Sequence, residues 1–457
     1  MTATTITGAF IDKVRSIDYA SLPPEAIEIS KHITLDALAV ILAGSAEPLG
    51  VGRVSTAYVR GMGGTPQASV VAGGFKTSMQ NAAYANGCMA HALDFENHTD
   101  PPNHPTSPTL PVIFAIAEHL GLPGDKIIAA IVAAFEVQAR LRLAATGLKE
   151  GQGFHKPGTM GIFGATAAAV KLLELGREQA LMAFGVAGSR AGNLSINNGT
   201  MTKSSHAGHA ARMGVECGVL ARMGWTASAD VFGPKGFLDT FWPNATQPER
   251  LMQGFAAPLY MIDPGIGFKA FPCNGFTHRP VDAALALREE FKIQPEQIER
   301  VQVIFPRFEY LNRPQPRSGL DGKFSVQYTT LVALLDGEVT VESFTNERLS
   351  RSDVTVLLPK VQFQIDDTIP LKKMNMHVIV NVWLKDGRQV SKRVDRLLGE
   401  PAHPLTREQR LTKFFSCARR VIDDKAAERM LELVEQLERL PDIRELMDIA
   451  RGDDRAA

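Results

Sequence analysis

The chain has 457 residues, which is too long for one typical hydrophobic core and therefore predicts two domains. Hydrophobic residues make up 45% of the chain and charged residues 21%, the balance of an ordinary soluble globular protein. Lysines plus arginines equal aspartates plus glutamates at 49 each, so no overall field draws the chain to nucleic acid or to an anionic membrane.

Cysteine spacing and hydrophobicity argue against several classes of protein. The four cysteines lie far apart and form no CxxC pair, which is unlike a metal ribbon or a disulfide framework and is typical of a reducing compartment. The N-terminus lacks the basic start and apolar core of a signal peptide, and the most apolar run, 127–135, is too short to span a bilayer. We therefore expect a cytoplasmic protein without a nucleic-acid or membrane partner.

The part of the chain from about Pro23 to Gly254 reads mostly as helix. Its first predicted helix begins with proline, ends with glycine and carries apolar residues at helical spacing. The abundance of alanine and glycine predicts helices that pack closely against each other. The clearest predicted helices cover 23–44, 107–124, 124–144, 163–176 and 177–192.

The pattern changes after about residue 268. A strand is predicted over 298–306, a helix over 323–337, and a hairpin over 374–395 with its tight turn at Asp386 and Gly387. These elements predict a smaller α+β domain over 269–400.

The tail, 401–457, returns to helix. Thr406 and Gln409 have the spacing of a capping box. A stripe of apolar side chains on the next helix predicts a core or a subunit contact. The stripe consists of Met430, Leu433, Val434, Leu437 and Leu440.

Seven of the eleven histidines fall in four short polar segments that interrupt the apolar helices. A single histidine of this kind is more often a capping or core residue than a catalyst. Four such segments with lysines among them favour one functional site, because titratable groups with perturbed pKa values cluster there. The histidines are His91, His98 and His104; His155; His206 and His209; and His278.

The first segment admits two interpretations. His91, Asp94 and His98 are three and four residues apart, which predicts one face of a helix that Pro101 ends, leaving His104 on a loop. Two histidines and a carboxylate can bind zinc or iron, but no HExxH or similar spacing supports a metal. A carboxylate that orients a general acid or base is the favoured interpretation.

The second segment, 153–164, contains glycines at a spacing that suggests a phosphate loop. No GK[ST] follows and no convincing strand precedes them, so the glycines are predicted to permit close helix packing. His155 and Thr159 lie just before the predicted helix, where free backbone N–H groups favour an anion.

The remaining two segments add lysines. Lys203 lies between small hydroxyl residues and is a candidate carboxylate ligand. Lys269 precedes Cys273, which is predicted to be a small buried residue, and His278 is predicted to cap the helix that begins near Pro280.

Together, and in this order, these segments resemble the MmgE/PrpD family, which contains 2-methylcitrate dehydratase, cis-aconitate decarboxylase and iminodisuccinate epimerase. The resemblance covers about 20–400. The segments that carry it are LDALAVILAG, HALDFENHTDPPNHPTSPTLP, GFHKPGTMGIFGATAAAVKLL, TKSSHAGHAARMGVECGVLA, FKAFPCNGFTH and KFSVQYTTLVALLDG.

The resemblance implies a mainly α protein with a large all-helical domain and a smaller α+β lid domain. Residues 1–268 would form the N-terminal part of the helical domain, 269–400 the lid, and 401–457 helices that return to the helical domain. It also implies a homodimer without metal or organic cofactor, and a site between the domains for a small di- or tricarboxylate.

The resemblance also assigns site residues. Asp94, His104, His155 and Lys203 match catalytic positions of the decarboxylase, with both histidines moving protons and Asp94 orienting a histidine. Two positions differ from the decarboxylase, which has threonine at the position of His98 and histidine at that of Asn274. Because either difference alters hydrogen bonding at the substrate carboxylates, a dicarboxylate or a modified analogue is an expected alternative to cis-aconitate. The predicted substrate-binding residues are Lys269, His98, Thr159, Asn274, His278, Gln327 and Tyr328.

The function that follows is a cofactor-free lyase, a dehydratase or a decarboxylase, that develops negative charge on a carbon next to a carboxylate. Lysines would offset that charge, and histidines would transfer protons. Three alternatives remain open: an epimerase of a dicarboxylate such as iminodisuccinate, a non-catalytic carboxylate-binding relative, and a metallohydrolase. The metallohydrolase would use His91, Asp94, His98 and His104.

Overall fold

A computed structural model describes residues 5–148, 153–371 and 375–453. Met374, with which the predicted hairpin segment begins, lies outside these residues. In the part that the structure does describe, no helix combines the length and apolar character needed to cross a bilayer.

Helices dominate the first 250 residues, as the periodicity predicts. The predicted helix 23–44 is observed at Pro24–Ser45, and the other clear predictions are also confirmed within a few residues at each end. The helices are α1 Ile6–Ser16, α2 Pro24–Ser45, α3 Val51–Met62, α4 Met79–Ala92, α5 Thr106–Leu120, α6 Gly124–Ala144, α7 Lys156–Thr159, α8 Gly161–Leu172, α9 Arg177–Arg190, α10 Met201–Arg222 and α11 Phe237–Phe241. A small hairpin joins β1 Ala68–Ser69 to β2 Lys76–Thr77.

Small residues allow the helices to approach closely. A Cβ atom on Gly208 of α10 would lie 2.5 Å from the carbonyl oxygen of Tyr84 in α4. On α8, a Cβ atom on Gly164 would lie 2.4 Å from the amide nitrogen of Gln138, which confirms the packing role predicted for this glycine. The close crossing of α4 and α10 matters for function, because both helices end or begin at the candidate site.

The smaller α+β part contains a four-stranded sheet with strand order β4-β3-β5-β6. Strand β3 pairs in parallel with β4 and antiparallel with β5, and β5 and β6 form the predicted hairpin, with Gly387 at φ 88° in its turn. The strands are β3 Ile298–Phe305, β4 Val361–Ile365, β5 Val378–Leu384 and β6 Gln389–Val394. The helices of this part are α12 His278–Phe291, α13 Gly319–Gly322, α14 Val326–Asp336, α15 Asn346–Ser350 and α16 Ser352–Leu357.

The tail forms α17 Arg407–Ala418, α18 Asp424–Glu435 and α19 Arg444–Arg451, and α17 begins with the predicted Thr406–Gln409 capping box. Met430 and Leu437 of the apolar stripe are fully buried in the same hydrophobic cluster as the N-terminal helices. The stripe is therefore core. A separate cluster runs from Cys273 to Val390 around the four-stranded sheet. The predicted fold class, mainly α with a smaller α+β part, is confirmed.

Candidate active site

A cleft lies where the helical part meets the α+β part. It contains about 670 Å³ of space, part of which is open to solvent. Seven of the eleven residues predicted for the site line this cleft. These are Asp94, His98, His104, His155, Lys203, Lys269 and Asn274.

The chain segment after α4 differs from its prediction. The helix ends at Ala92, so His91, Asp94 and His98 do not share a helix face. Asp94 has the left-handed conformation with φ 51°, and His98 pairs through its backbone with Gly267, with N···O distances of 2.8 and 2.9 Å. The helical prediction was wrong because tertiary contacts, which helical spacing does not report, determine the backbone here.

Asp94 forms the electrostatic centre of the cleft. The ammonium group of Lys269 lies 2.6 Å from both the carboxylate and the backbone carbonyl oxygen of Asp94, and that of Lys203 lies 3.3 Å from the other carboxylate oxygen. Burial alone would raise the pKa of Asp94, but the two ammonium groups outweigh it and hold this pKa well below its usual value. Two buried cations thus share one carboxylate, and both lie at the wall of the cleft, where they can contact a bound acid.

Two imidazoles face this charged group. His104 Nε2 lies 3.7 Å from Asp94 Oδ1, and His155 Nδ1 lies 3.1 Å from His206 Nδ1. Burial holds the pKa values of His104 and His155 well below the ordinary value, with further lowering by Lys269 and by His91, respectively. Both shifts favour the neutral form of the imidazole. A bound polyanion would raise both pKa values.

The structure adds charged residues that the sequence analysis did not single out. Glu96 is fully buried and contacts His91, while Lys323 from the α+β part donates a hydrogen bond of 3.0 Å to the carbonyl oxygen of Ala92. Burial lowers the pKa of Lys323 to about 8. The sequence contained a signal for Glu96, because this residue follows Asp94 by two positions in the same histidine-rich segment. The sequence contained no such signal for Lys323, because only the tertiary fold brings this residue close to the end of α4.

His98 and Asn274, where the chain departs from the decarboxylase pattern, both line the cleft but have protein partners. His98 Nε2 lies 2.8 Å from a carboxylate oxygen of Glu400. The side-chain oxygen of Asn274 accepts a hydrogen bond of 3.0 Å from the backbone N–H of Phe276. Both side chains therefore have defined orientations before any ligand arrives.

Thr159 and His278 were predicted to bind substrate but do not line the cleft that the described residues form. The hydroxyl of Thr159 donates to the carbonyl oxygen of His155 at 3.1 Å, so it supports the backbone of a cleft residue. His278 is the first residue of α12, not a cap near Pro280, and its Nε2 lies 3.3 Å from the carbonyl oxygen of Cys273. Cys273 is buried as predicted, and burial raises its pKa to about 12.

Gln327 and Tyr328 are also absent from the lining of the cleft in the described residues. Both lie in α14, which is buried nearly throughout inside the α+β core. The amide of Gln327 donates to Asn312 at 2.6 Å, and the hydroxyl of Tyr328 donates to the carbonyl oxygen of Ser343 at 2.5 Å. Their polar groups bond within the fold, so neither side chain faces the cleft in this structure, and their role in substrate binding stays a prediction.

A metal site at the first histidine-rich segment would require a different set of ligand residues from the predicted one. His91, Asp94 and Glu96 each offer one ligand atom within 4.8 Å of the others, whereas His98 faces Glu400. However, Asp94 already contacts Lys269 at 2.6 Å and Lys203 at 3.3 Å, and a divalent cation there would be repelled by both ammonium groups. The charge pattern thus favours an anionic ligand over a metal ion.

Comparison with known proteins identifies the chain's relatives. Residues 8–249 match the MmgE/PrpD N-terminal domain, and residues 271–439 match the MmgE/PrpD C-terminal domain. The chain belongs to the MmgE/PrpD family. The family predicted from the sequence is therefore confirmed.

Other members of the MmgE/PrpD family match this one over nearly their whole length. Cis-aconitate decarboxylase of Mus musculus is 30% identical over 98% of this chain and 93% of its own length. The Homo sapiens enzyme of the same name is 30% identical over 98% of this chain and 95% of its own length. The Aspergillus terreus enzyme of the same name is 28% identical over 94% of this chain and 92% of its own length. Decarboxylases are lyases, so these relatives also confirm the predicted enzyme class of this MmgE/PrpD protein.

Proposed function

We propose that this MmgE/PrpD protein is a lyase that removes carbon dioxide from cis-aconitate or a closely related aconitate-type acid. The observation that carries the proposal is one cleft in which the ammonium groups of Lys203 and Lys269 face the imidazoles of His104 and His155 across Asp94. Relatives named cis-aconitate decarboxylases support the reaction class.

Binding follows from the charges. An aconitate-type acid carries up to three carboxylates, and the buried ammonium groups offer charge-assisted hydrogen bonds that are stronger in a cleft with little water. Lys203 is 6% exposed and Lys269 1%, so bulk water does not screen them. The same ammonium groups stabilise the negative charge that develops on the substrate in the transition state.

The chemical step has two parts. The bond between the leaving carboxylate and its carbon breaks, carbon dioxide departs, and the electron pair is delocalised over the adjacent carbon–carbon double bond toward the next carboxylate. A protonated imidazole, His104 or His155, then donates its proton to one end of this allylic anion and becomes neutral. Because burial disfavours the protonated form of both rings, the charge of the bound acid has to raise their pKa values.

The test is incubation of purified protein with cis-aconitate, citrate, 2-methylcitrate and iminodisuccinate in deuterated water, followed by NMR. We expect loss of one carboxylate from cis-aconitate or a close analogue, with one deuterium incorporated at one end of the original allylic system. Loss of water instead would indicate a dehydratase, and proton exchange alone an epimerase. Thermal stabilisation by these acids without any turnover would indicate a carboxylate-binding protein. Each of those three results overturns the proposal.

Variants assign the roles. His155→Gln and Lys203→Ala should keep the circular dichroism spectrum while turnover falls at least about 100-fold, the usual contribution of a general acid. His209→Gln is the matched control, because His209 lies on α10 with its ring nitrogen 3.3 Å from the carbonyl oxygen of Arg190 and does not line the cleft. Normal turnover in both site variants would reject the assignment.

We also propose that the protein acts as a homodimer. Val54, Tyr58 and Met62 recur every four residues on α3 and are about half exposed, and Ile196 is 85% exposed. Exposed apolar stripes of this kind mark protein contact surfaces. Light scattering after size exclusion should give twice the chain mass, and Tyr58→Glu should give the monomer. The cytoplasmic location stays a prediction.

A further inference from the structure

Glu96 is a buried carboxylate that the proposed reaction does not use. It is 0% exposed and does not belong to the described residues that line the cleft. Its Oε1 contacts His91 Nδ1, lies 3.2 Å from the hydroxyl of Ser107 and lies 3.5 Å from His104 Nδ1. One carboxylate oxygen is thus shared by two imidazoles, only one of which, His104, faces the cleft.

We propose that Glu96 is a positioning residue that selects the tautomer of His104 and stabilises its protonated form, and that His91 competes for the same carboxylate oxygen. This inference rests on the proposed function, because it concerns His104, one of the two histidines proposed as the proton donor of that reaction. A carboxylate or carbonyl at one imidazole nitrogen commonly determines which nitrogen is free for chemistry.

The geometry defines the working nitrogen. Glu96 lies on the Nδ1 side of His104, while Nε2 lies 3.7 Å from Asp94 Oδ1, at the wall of the cleft. A proton on Nδ1 that points to Glu96 leaves Nε2 as the atom that exchanges a proton with substrate. The Nδ1···Oε1 separation is 3.5 Å, longer than a hydrogen bond, and catalytic contacts of this length commonly tighten only when substrate binds.

The charges around His104 give the direction of the effect. Lys269 and His91 disfavour its protonated form, as burial does, whereas Glu96 and Asp94 favour it. His155 also lies beside this group and is itself affected by the charges of both His91 and His104. Glu96 remains anionic despite burial, because His91 and His104 hold its pKa below the usual value.

Two variants should therefore act in opposite directions. In Glu96→Gln the protonated His104 loses its anionic partner, so the basic limb of the kcat–pH profile moves to lower pH by about one unit. At pH values above that limb, kcat therefore falls about tenfold. In His91→Asn the carboxylate is left to His104, so the limb moves to higher pH. KM changes little in Glu96→Gln, since this residue does not contact the substrate.

The controls separate this role from stability. Glu118→Gln removes another buried carboxylate of the helical part, which accepts a hydrogen bond of 2.7 Å from the backbone N–H of Ser69. It should lower the melting temperature without moving the limb. Glu96→Asp keeps the charge and should restore the limb toward that of the unmodified protein. If Glu96→Gln fails to fold, Glu96→Asp and His91→Asn still carry the test.

A second readout does not depend on turnover. NMR titration of protein labelled with carbon-13 histidine, with the His104 signal assigned from its loss in His104→Gln, should show its midpoint moving down in Glu96→Gln and up in His91→Asn. Unchanged midpoints, or shifts in the same direction, would overturn the inference. If the unmodified protein turned over none of the acids, the proposed function would fail, and the titration would still decide the role of Glu96.

Discussion

Replacing Asp94 with asparagine tests the electrostatic centre of the cleft most directly. The change keeps the size of the side chain but removes the only carboxylate that contacts both Lys203, at 3.3 Å, and Lys269, at 2.6 Å, among the described residues. Breaking a buried ion pair in this way costs about 3–5 kcal/mol, since uncompensated charge is left behind.

The assay is urea unfolding near pH 7, followed by titration with cis-aconitate. The folded pKa of Asp94 is depressed below the ordinary 3.8, so its contribution to stability is fully present above about pH 4 and is lost as pH falls through the folded value. Asp94→Asn should also bind the acid more tightly, by at least about tenfold, because the ammonium groups are no longer neutralised. Turnover should fall at the same time, since His104 loses a charged neighbour.

Asp36→Asn is the matched control for the affinity. It breaks a buried pair with Lys413, at 2.6 Å, whose residues do not line the cleft, so it should leave the affinity for the acid unchanged. The reasoning is refuted if Asp94→Asn is within about 1 kcal/mol of the unmodified protein, or if both variants change the affinity alike.

Three further predictions concern the surrounding structure. Gly208→Ala should lower the free energy of unfolding by about 1–3 kcal/mol in urea melts, because its Cβ would lie 2.5 Å from the Tyr84 carbonyl oxygen, and equal stability would contradict the close contact. The unmodified protein should lose about 3 kcal/mol of unfolding free energy between pH 6.5 and 4, whereas His206→Asn should not lose it. Burial lowers the folded pKa of His206 from 6.5 to about 4, so the unfolded state binds the proton first as pH falls. Parallel stability–pH curves would contradict this assignment. Tyr328→Phe should lower the free energy of unfolding by about 1–3 kcal/mol, because it leaves the Ser343 carbonyl oxygen without its donor. We expect kcat to stay within about twofold. A large loss of kcat would support a role for Tyr328 in substrate binding.

Much of the fold followed from local patterns. Proline at the start and glycine at the end of helices, helical spacing of apolar residues, and an Asp-Gly pair between alternating runs report short-range physics, which is why α2, α14 and the β5–β6 hairpin appear where predicted. The helix that was predicted to continue through His98 is not observed. Contacts with Lys269 and Gly267, which lie far along the chain, determine the backbone conformation there.

The candidate site also has features that the sequence predicted and features that only long-range contacts determined. The sequence alone determined which residue types are available: histidines and lysines in polar breaks between helices, where titratable groups at the wall of a cavity are expected. It could not tell that Lys203 and Lys269 would meet at one carboxylate, because their positions are 66 residues apart and joined only by tertiary contacts.

Tertiary structure alone also decided which polar side chains face the cleft. Gln327 and Tyr328 have the same chemistry as residues that bind acids, but α14 lies inside the α+β core and uses their polar groups there. Glu96 and Lys323 lie beside the cleft, behind the described residues that line it, because separate elements pack there. The physical reason is that periodicity reports which face of an element is apolar, whereas convergence of charged groups depends on how elements pack, which no short stretch of sequence encodes.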